Sequence, residues 1–196
     1  MLDQIEMAAE VLLQDVINLG RDQKDLRSET IIGALATLAG ERLLLSAGQE
    51  ISRSRLGLEL DDLASASAVI ASSAEAAGVP ETSLRHPASI ARAASAEIGL
   101  SPLPPLSVPR QHYPQDRSAN AIAGLRDTVR HHQASWRFGN RQMSLVLCHV
   151  IGRHIVQIRD RLDPATATTL AMETMIGVTL ISPLAQEVQL TSRRSA

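Results

Sequence analysis

Aromatic residues are nearly missing from this chain: one Trp, one Phe and one Tyr in 196 residues. Its core must therefore be built from Leu, Ile, Val, Met and Ala, and sheets, which draw on aromatic and β-branched side chains, are disfavoured. The single cysteine, Cys148, excludes an internal disulfide framework and any multi-cysteine zinc site. Lys24 is the only lysine among 19 basic side chains. No long uncharged run is present either. The least charged window, Ala165 to Ala185, still holds Glu173, Pro183 and several threonines, which suits a buried helix better than a membrane span. The opening MLDQIEMAAEVLLQDVINLG carries Asp3, Glu6, Glu10 and Asp15, where a secretory signal needs a basic start and an apolar run. The expectation is a cytoplasmic protein with no membrane partner. Phosphate-binding GxxxxGK[ST], dinucleotide GxGxxG, GxSxG and HExxH patterns are all missing, so no cofactor and no metal are expected.

What is present points to helices. Apolar residues make up 44% of the chain, and Ala and Leu, strong helix formers, dominate them. Leu2, Ile5, Ala9, Leu12, Leu13, Val16 and Ile17 follow a 3.6-residue period, with Gly20 as a stop. Ser28 opens a second helix running to about Gly48. Further helices are expected over Glu59–Ala77, Pro87–Ile98, Ser118–Ser135, Asn140–Leu162 and Pro164–Ile181. Asn140 is the expected N-cap of the sixth, and Asp163 with Pro164 a cap and first residue for the seventh. The fold class expected is all-α: a single-domain bundle of six or seven helices over 1–196.

Charge divides that bundle. Residues 1–100 hold 8 basic and 15 acidic side chains, net −7, and residues 101–196 hold 11 and 6, net +5. Pro102, Pro104, Pro105, Pro109 and Pro114 make a connector over 101–117 between the acidic half (1–100) and the basic half (118–196), because neither helix nor central strand survives that density. Opposite charge on the two halves means that they dock on each other, that subunits do, or that the second half meets an anion.

Several residues are candidates for function. In the second helix Gly33, Ala36, Gly40 and Ala47 fall on one narrow stripe, and glycine in a helix costs about 1 kcal/mol, so close approach of another backbone is the simplest reason. The partner is in the same chain or in a second subunit. The segment RHHQASWRFGNRQ, Arg130 to Gln142, offers an anion or small-molecule site made of Arg130, His131, Trp136, Arg137 and Arg141. The competing reading makes Trp136 and Phe138 plugs at a helix corner, and explains both aromatics without a ligand. Asp127 precedes His131 by one helical turn and is placed to orient its ring. Glu173 is the only charge in TATTLAMETMIGVTLI, a possible buried acid that either pairs with an arginine of the preceding helix or opens onto a pocket. His154 sits at the edge of the apolar stripe Met143, Leu147, Ile151, Ile155, Ile158 and Leu162, and reads as a satisfied, semi-buried histidine.

Nucleic acid is not an expected partner: the best helix-turn-helix imitation, Ser89 to Pro102, runs into LSPLPPLSVP where a recognition helix belongs. The reading is a protein that acts by contact with protein, first of all with itself as a homodimer. The alternative is the small-molecule or anion binder, and the third is an enzyme resting on Glu173 or the Asp127–His131 pair.

Overall fold

The computed structural model describes residues 2–22, 26–46, 60–80, 83–96, 106–114 and 118–180. Among them are seven α-helices and no strand: α1 (Leu2–Asp22), α2 (Ser28–Ser46), α3 (Leu60–Ala76), α4 (Pro87–Ala96), α5 (Ser118–Trp136), α6 (Asn140–Ile158) and α7 (Pro164–Leu180).

Local chemistry sets most of the boundaries. Asp163 caps α7, its Oδ2 accepting from the Thr166 N–H at 2.8 Å, with Pro164 as first residue. α3 is closed off two residues past its end by Gly78, whose φ of +90° is open to glycine and rarely to other residues. There Gly78 N–H and Val79 N–H close onto the Glu75 and Ala74 carbonyls. The α6 start differs from expectation. Gly139 is the N-cap, and its own N–H is held by Gln142 Oε1 at 2.9 Å. Asn140 is already helical, and its Oδ1 instead accepts from Gln133 Nε2 at 2.9 Å. α6 also ends early, at Ile158, because Arg161 N–H bonds the Ile158 carbonyl at 2.7 Å and tightens the chain into a turn.

The core sits around α2, which packs against α5, α6 and α7. α2 and α7 bury side chains all around their circumference, as expected of helices apolar on every side. α1 covers α6 and touches α5, α3 lies on α6 and α7, and α4 lies on α7 and α3. The acidic and basic halves thus interleave, and their charges meet. Glu10 pairs with Arg153, Asp15 with His132, Glu41 with Arg126 and Asp62 with Arg141.

The described part of the connector, 106–114, lies across this bundle as a strap. Its Val108 is buried in the core, and its Tyr113 hydroxyl donates back to the Leu106 carbonyl at 2.8 Å. Ser107 bonds Glu173 of α7 at one end. His112 bonds Glu29 of α2 at the other, where Arg27 holds both Glu29 and the Gln111 carbonyl.

The small-residue stripe of α2 finds its partners inside the chain. A Cβ on Gly40 would stand 2.5 Å from the Met175 carbonyl oxygen of α7, and one on Gly33 would stand 2.8 Å from Pro114 Cγ. Ala36 is fully buried, and Ala47 lies outside the described residues. A second crossing had no place in the stripe argument: a Cβ on Gly152 of α6 would stand 2.4 Å from Ser73 Cβ of α3.

Candidate functional site

Three α1 residues, Asp15, Asn18 and Leu19, follow i, i+3, i+4 spacing and so share one helix face. Thr128, His131 and His132 repeat that spacing on α5, and the two faces meet across a cleft of about 570 Å³. Leu19 and Leu125 supply its apolar lining, and Asp127 stands at the rim. Leu125 is almost wholly enclosed, so the floor is part of the core.

One hydrogen bond ties the two walls together. His132 Nε2 and Asp15 Oδ2 are 2.6 Å apart, and the His132 ring is largely buried while the Asp15 carboxylate is half exposed. One turn further along α5, Trp136 stacks on the same imidazole with centroids 4.4 Å apart and planes 18° from parallel. Phe138 follows, tilted against Trp136 at 5.7 Å. Both aromatics pack against the core from the corner between α5 and α6.

That corner is fixed by backbone bonds. Phe138 N–H reaches the Gln133 carbonyl and Arg137 N–H the Ala134 carbonyl, at 3.1 and 3.2 Å. This closure puts the residue after Trp136 in the left-handed region, where glycine is usual. Here it is Arg137, at φ +56°, with a strain of about 1 kcal/mol. Gln133 Nε2 locks the turn from inside, donating to the Phe138 carbonyl and to Asn140. The stack behind the cleft is accordingly a rigid wall.

The structure does not gather Arg130, Arg137 and Arg141 around one anion. Arg130 leans on Asp127 at 3.9 Å, and Arg141 crosses to Asp62 of α3 at 2.8 Å. Arg137 is exposed at the corner and has no ion pair among the described residues. One face of Trp136 is taken by His132. Only His131 and the His132–Trp136 wall belong to the cleft. Nor do Asp127 and His131 bond each other: Asp127 has its contact with Arg130, and His131 lies edge-on to His132 with centroids 5.8 Å apart. The pair that does form, Asp15 with His132, spans 117 positions. Sequence offers only a weak sign of it, since Asp15 and His132 are each one polar position among several on amphipathic helices.

Glu173 is buried but closed off. Its Oε1 accepts from Arg85 Nη1 at 2.8 Å and from the Ser107 hydroxyl at 2.6 Å, and its Oε2 from the Ser107 N–H at 2.6 Å. The partner arginine comes from the loop before α4, not from the helix preceding α7. With three donors on one carboxylate, Glu173 is the anchor of the strap.

His154 is neither semi-buried nor satisfied. It is 6% exposed, and both ring nitrogens are enclosed without a hydrogen-bond partner among the described residues. Burial pushes its pKa down to about 4. Cys148 is also fully enclosed, beside Met175 Sδ at 3.8 Å, and burial pushes its thiol up to about 12, which leaves it inert as a nucleophile. No three His, Cys, Asp or Glu side chains among the described residues are placed to hold a metal, and no described helix is long and apolar enough to cross a membrane. The cleft presents the Asp15 and Asp127 carboxylates and the His131 and His132 rings above Leu19 and Leu125. Neither a protein-family model, nor a curated protein, nor a solved structure matches the chain.

Proposed function

We propose that the protein binds a small organic molecule carrying an amine or several hydroxyls in the cleft between α1 and α5. One observation carries this reading: the Asp15 carboxylate and the His131 and His132 rings, with Asp127 at the rim, line an apolar-floored cleft whose volume, about 570 Å³, falls in the range of small-molecule sites. The Asp15–His132–Trp136 wall supports it, since a held wall orders fewer groups on binding. The reading places the protein in the cytoplasm, where a lone thiol such as Cys148 stays reduced.

Trp136 is the only tryptophan in the chain and lies directly behind the cleft-lining His132, so its fluorescence reports occupancy. Titration with di- and polyamines, amino sugars and neutral polyols is expected to give a saturable change with at least one class. Asp15→Asn weakens that response about tenfold, the value of one charge-assisted hydrogen bond. A flat signal across all three classes, with no shift in melting temperature, refutes the reading.

A second reading, contact with another copy of the chain, rests on α1. Met7 and Val11, one turn apart, are 70% and 50% exposed. Native mass spectrometry is expected to show a homodimer that Val11→Glu dissociates. A monomer at micromolar concentration removes this reading and leaves the cleft proposal intact.

A further inference from the structure

Val108 alone among residues 106–114 is buried, and Leu106 is half-buried against the core. Ser107, Pro109, Arg110, Gln111 and Tyr113 are exposed. The strap's backbone bonds close on the strap itself. His112 N–H reaches the Pro109 carbonyl at 2.8 Å, and Tyr113 N–H the Arg110 carbonyl at 3.1 Å. With the Tyr113 hydroxyl on the Leu106 carbonyl, the segment holds its own shape.

Its hydrogen bonds to the bundle run through side chains at its two ends. Glu173 of α7 accepts from the Ser107 hydroxyl and N–H, both at 2.6 Å. Glu29 Oε1 of α2 lies 3.0 Å from His112 Nδ1, and Arg27 Nη2 donates to the Gln111 carbonyl at 2.6 Å. Both acids are buried, and each has a second partner outside the strap: Arg85 at 2.8 Å from Glu173, and Arg27 at 2.6 Å from Glu29. Loss of the strap therefore leaves neither carboxylate unpaired, so the cost of opening stays local. The remaining contact is steric. Pro114 lies so close to Gly33 of α2 that a Cβ there would stand 2.8 Å from Pro114 Cγ.

We infer that the strap is a lid on the seam between α2 and α7. It lifts as a unit while the helices stay folded, because opening gives up one buried and one half-buried aliphatic side chain and two latches, not a helix face. Lifting bares the Glu29 and Glu173 carboxylates on either side of the places vacated by Val108 and Pro114. When closed, the strap occupies both acids with its own donors and keeps other donors from them. The seam shares no residue with the cleft between α1 and α5, and the inference does not rest on that cleft's occupancy.

Hydrogen exchange of the full chain, read by mass spectrometry at several urea concentrations below the unfolding midpoint, tests the inference. Peptides covering 106–114 are expected to exchange much faster than those of α2 and α7, yet slower than unstructured chain. Urea should hardly change their rate, since lifting the lid exposes little surface. Ser107→Ala, at an exposed position, speeds strap exchange about tenfold. Gly33→Ala also speeds it, by pushing on Pro114 without touching either latch, and both variants leave α7 at the parent rate. Strap exchange that rises with urea in step with α2 and α7 overturns the inference, as does unprotected exchange in the parent. So does a strap rate that neither variant moves, or a variant that speeds α7 as much as the strap.

Discussion

Gly40→Ala is expected to lower the free energy of unfolding by about 3 kcal/mol, the upper part of the range for overpacking a close-packed interior. The new Cβ would stand 2.5 Å from the Met175 carbonyl oxygen and 3.1 Å from Val178 Cβ. The nearer atom is helix backbone, so no side chain can turn aside. α2 and α7 must move apart, and that separation loosens the pairing at the centre of the bundle. Alanine regains about 1 kcal/mol in helix propensity, too little to compensate. For a chain of this size the melting temperature falls by about 6–12 °C. A variant within about 0.5 kcal/mol of the parent would show that the two helices are not in backbone contact. Gly152 makes a useful contrast. Its missing Cβ would stand 2.1 Å from Ser73 Oγ and 2.4 Å from Ser73 Cβ, a clash with a removable side chain. Gly152→Ala should therefore be rescued in large part by Ser73→Gly and not by Ser73→Ala, in a thermal-melt double-mutant cycle.

Acid should destabilise the protein through His154 by about 2 kcal/mol at pH 5, rising to about 3 kcal/mol at full protonation. The unfolded histidine takes a proton near its ordinary value of 6.5, whereas the buried ring holds out to about 4. Between those values the unfolded chain binds more protons, so stability falls as pH falls through that window, and the whole contribution is present above it. The physical source is a buried imidazolium whose two ring N–H groups meet no acceptor among the described residues. His154→Leu removes this proton linkage. The difference in unfolding free energy between parent and variant, from urea titrations at pH 7 and pH 5, should change by about 2 kcal/mol. A constant difference means that another group carries the acid sensitivity.

Much of the fold was legible in the chain, and the reasons are local. Periodicity located the helices, Asp163–Pro164 marked the start of α7, and the nearly uncharged run of α7 announced it as buried. Two kinds of information were not local. Glycine spacing on α2 signalled close approach, but nothing in it said that the neighbours were Met175 and Pro114. Charge asymmetry signalled docking or an anion, and the pairs Glu10–Arg153, Asp15–His132, Glu41–Arg126 and Asp62–Arg141 show acidic and basic halves meeting. The candidate site suffered most. Within RHHQASWRFGNRQ every residue is close in sequence, yet α5, the corner and α6 send Arg130, Arg137 and Arg141 in three directions. The partner that organises the cleft, Asp15, is contributed by the first helix. His154 misled for a related reason: a position at the edge of an apolar stripe says how deep a ring lies only once the covering helices are in place.

Cys148 gives the molecule a gauge of its own motion. It is the only thiol in the chain and is fully enclosed, in sulfur contact with Met175 of α7. A disulfide reagent can reach it only when this part of the interior opens. Where reclosing outruns labelling, the reaction rate divided by that of a free thiol is the equilibrium constant for opening. An unmodified sample thus reports how often its core breathes, at the one interface on which Gly40, α6 and α7 all depend.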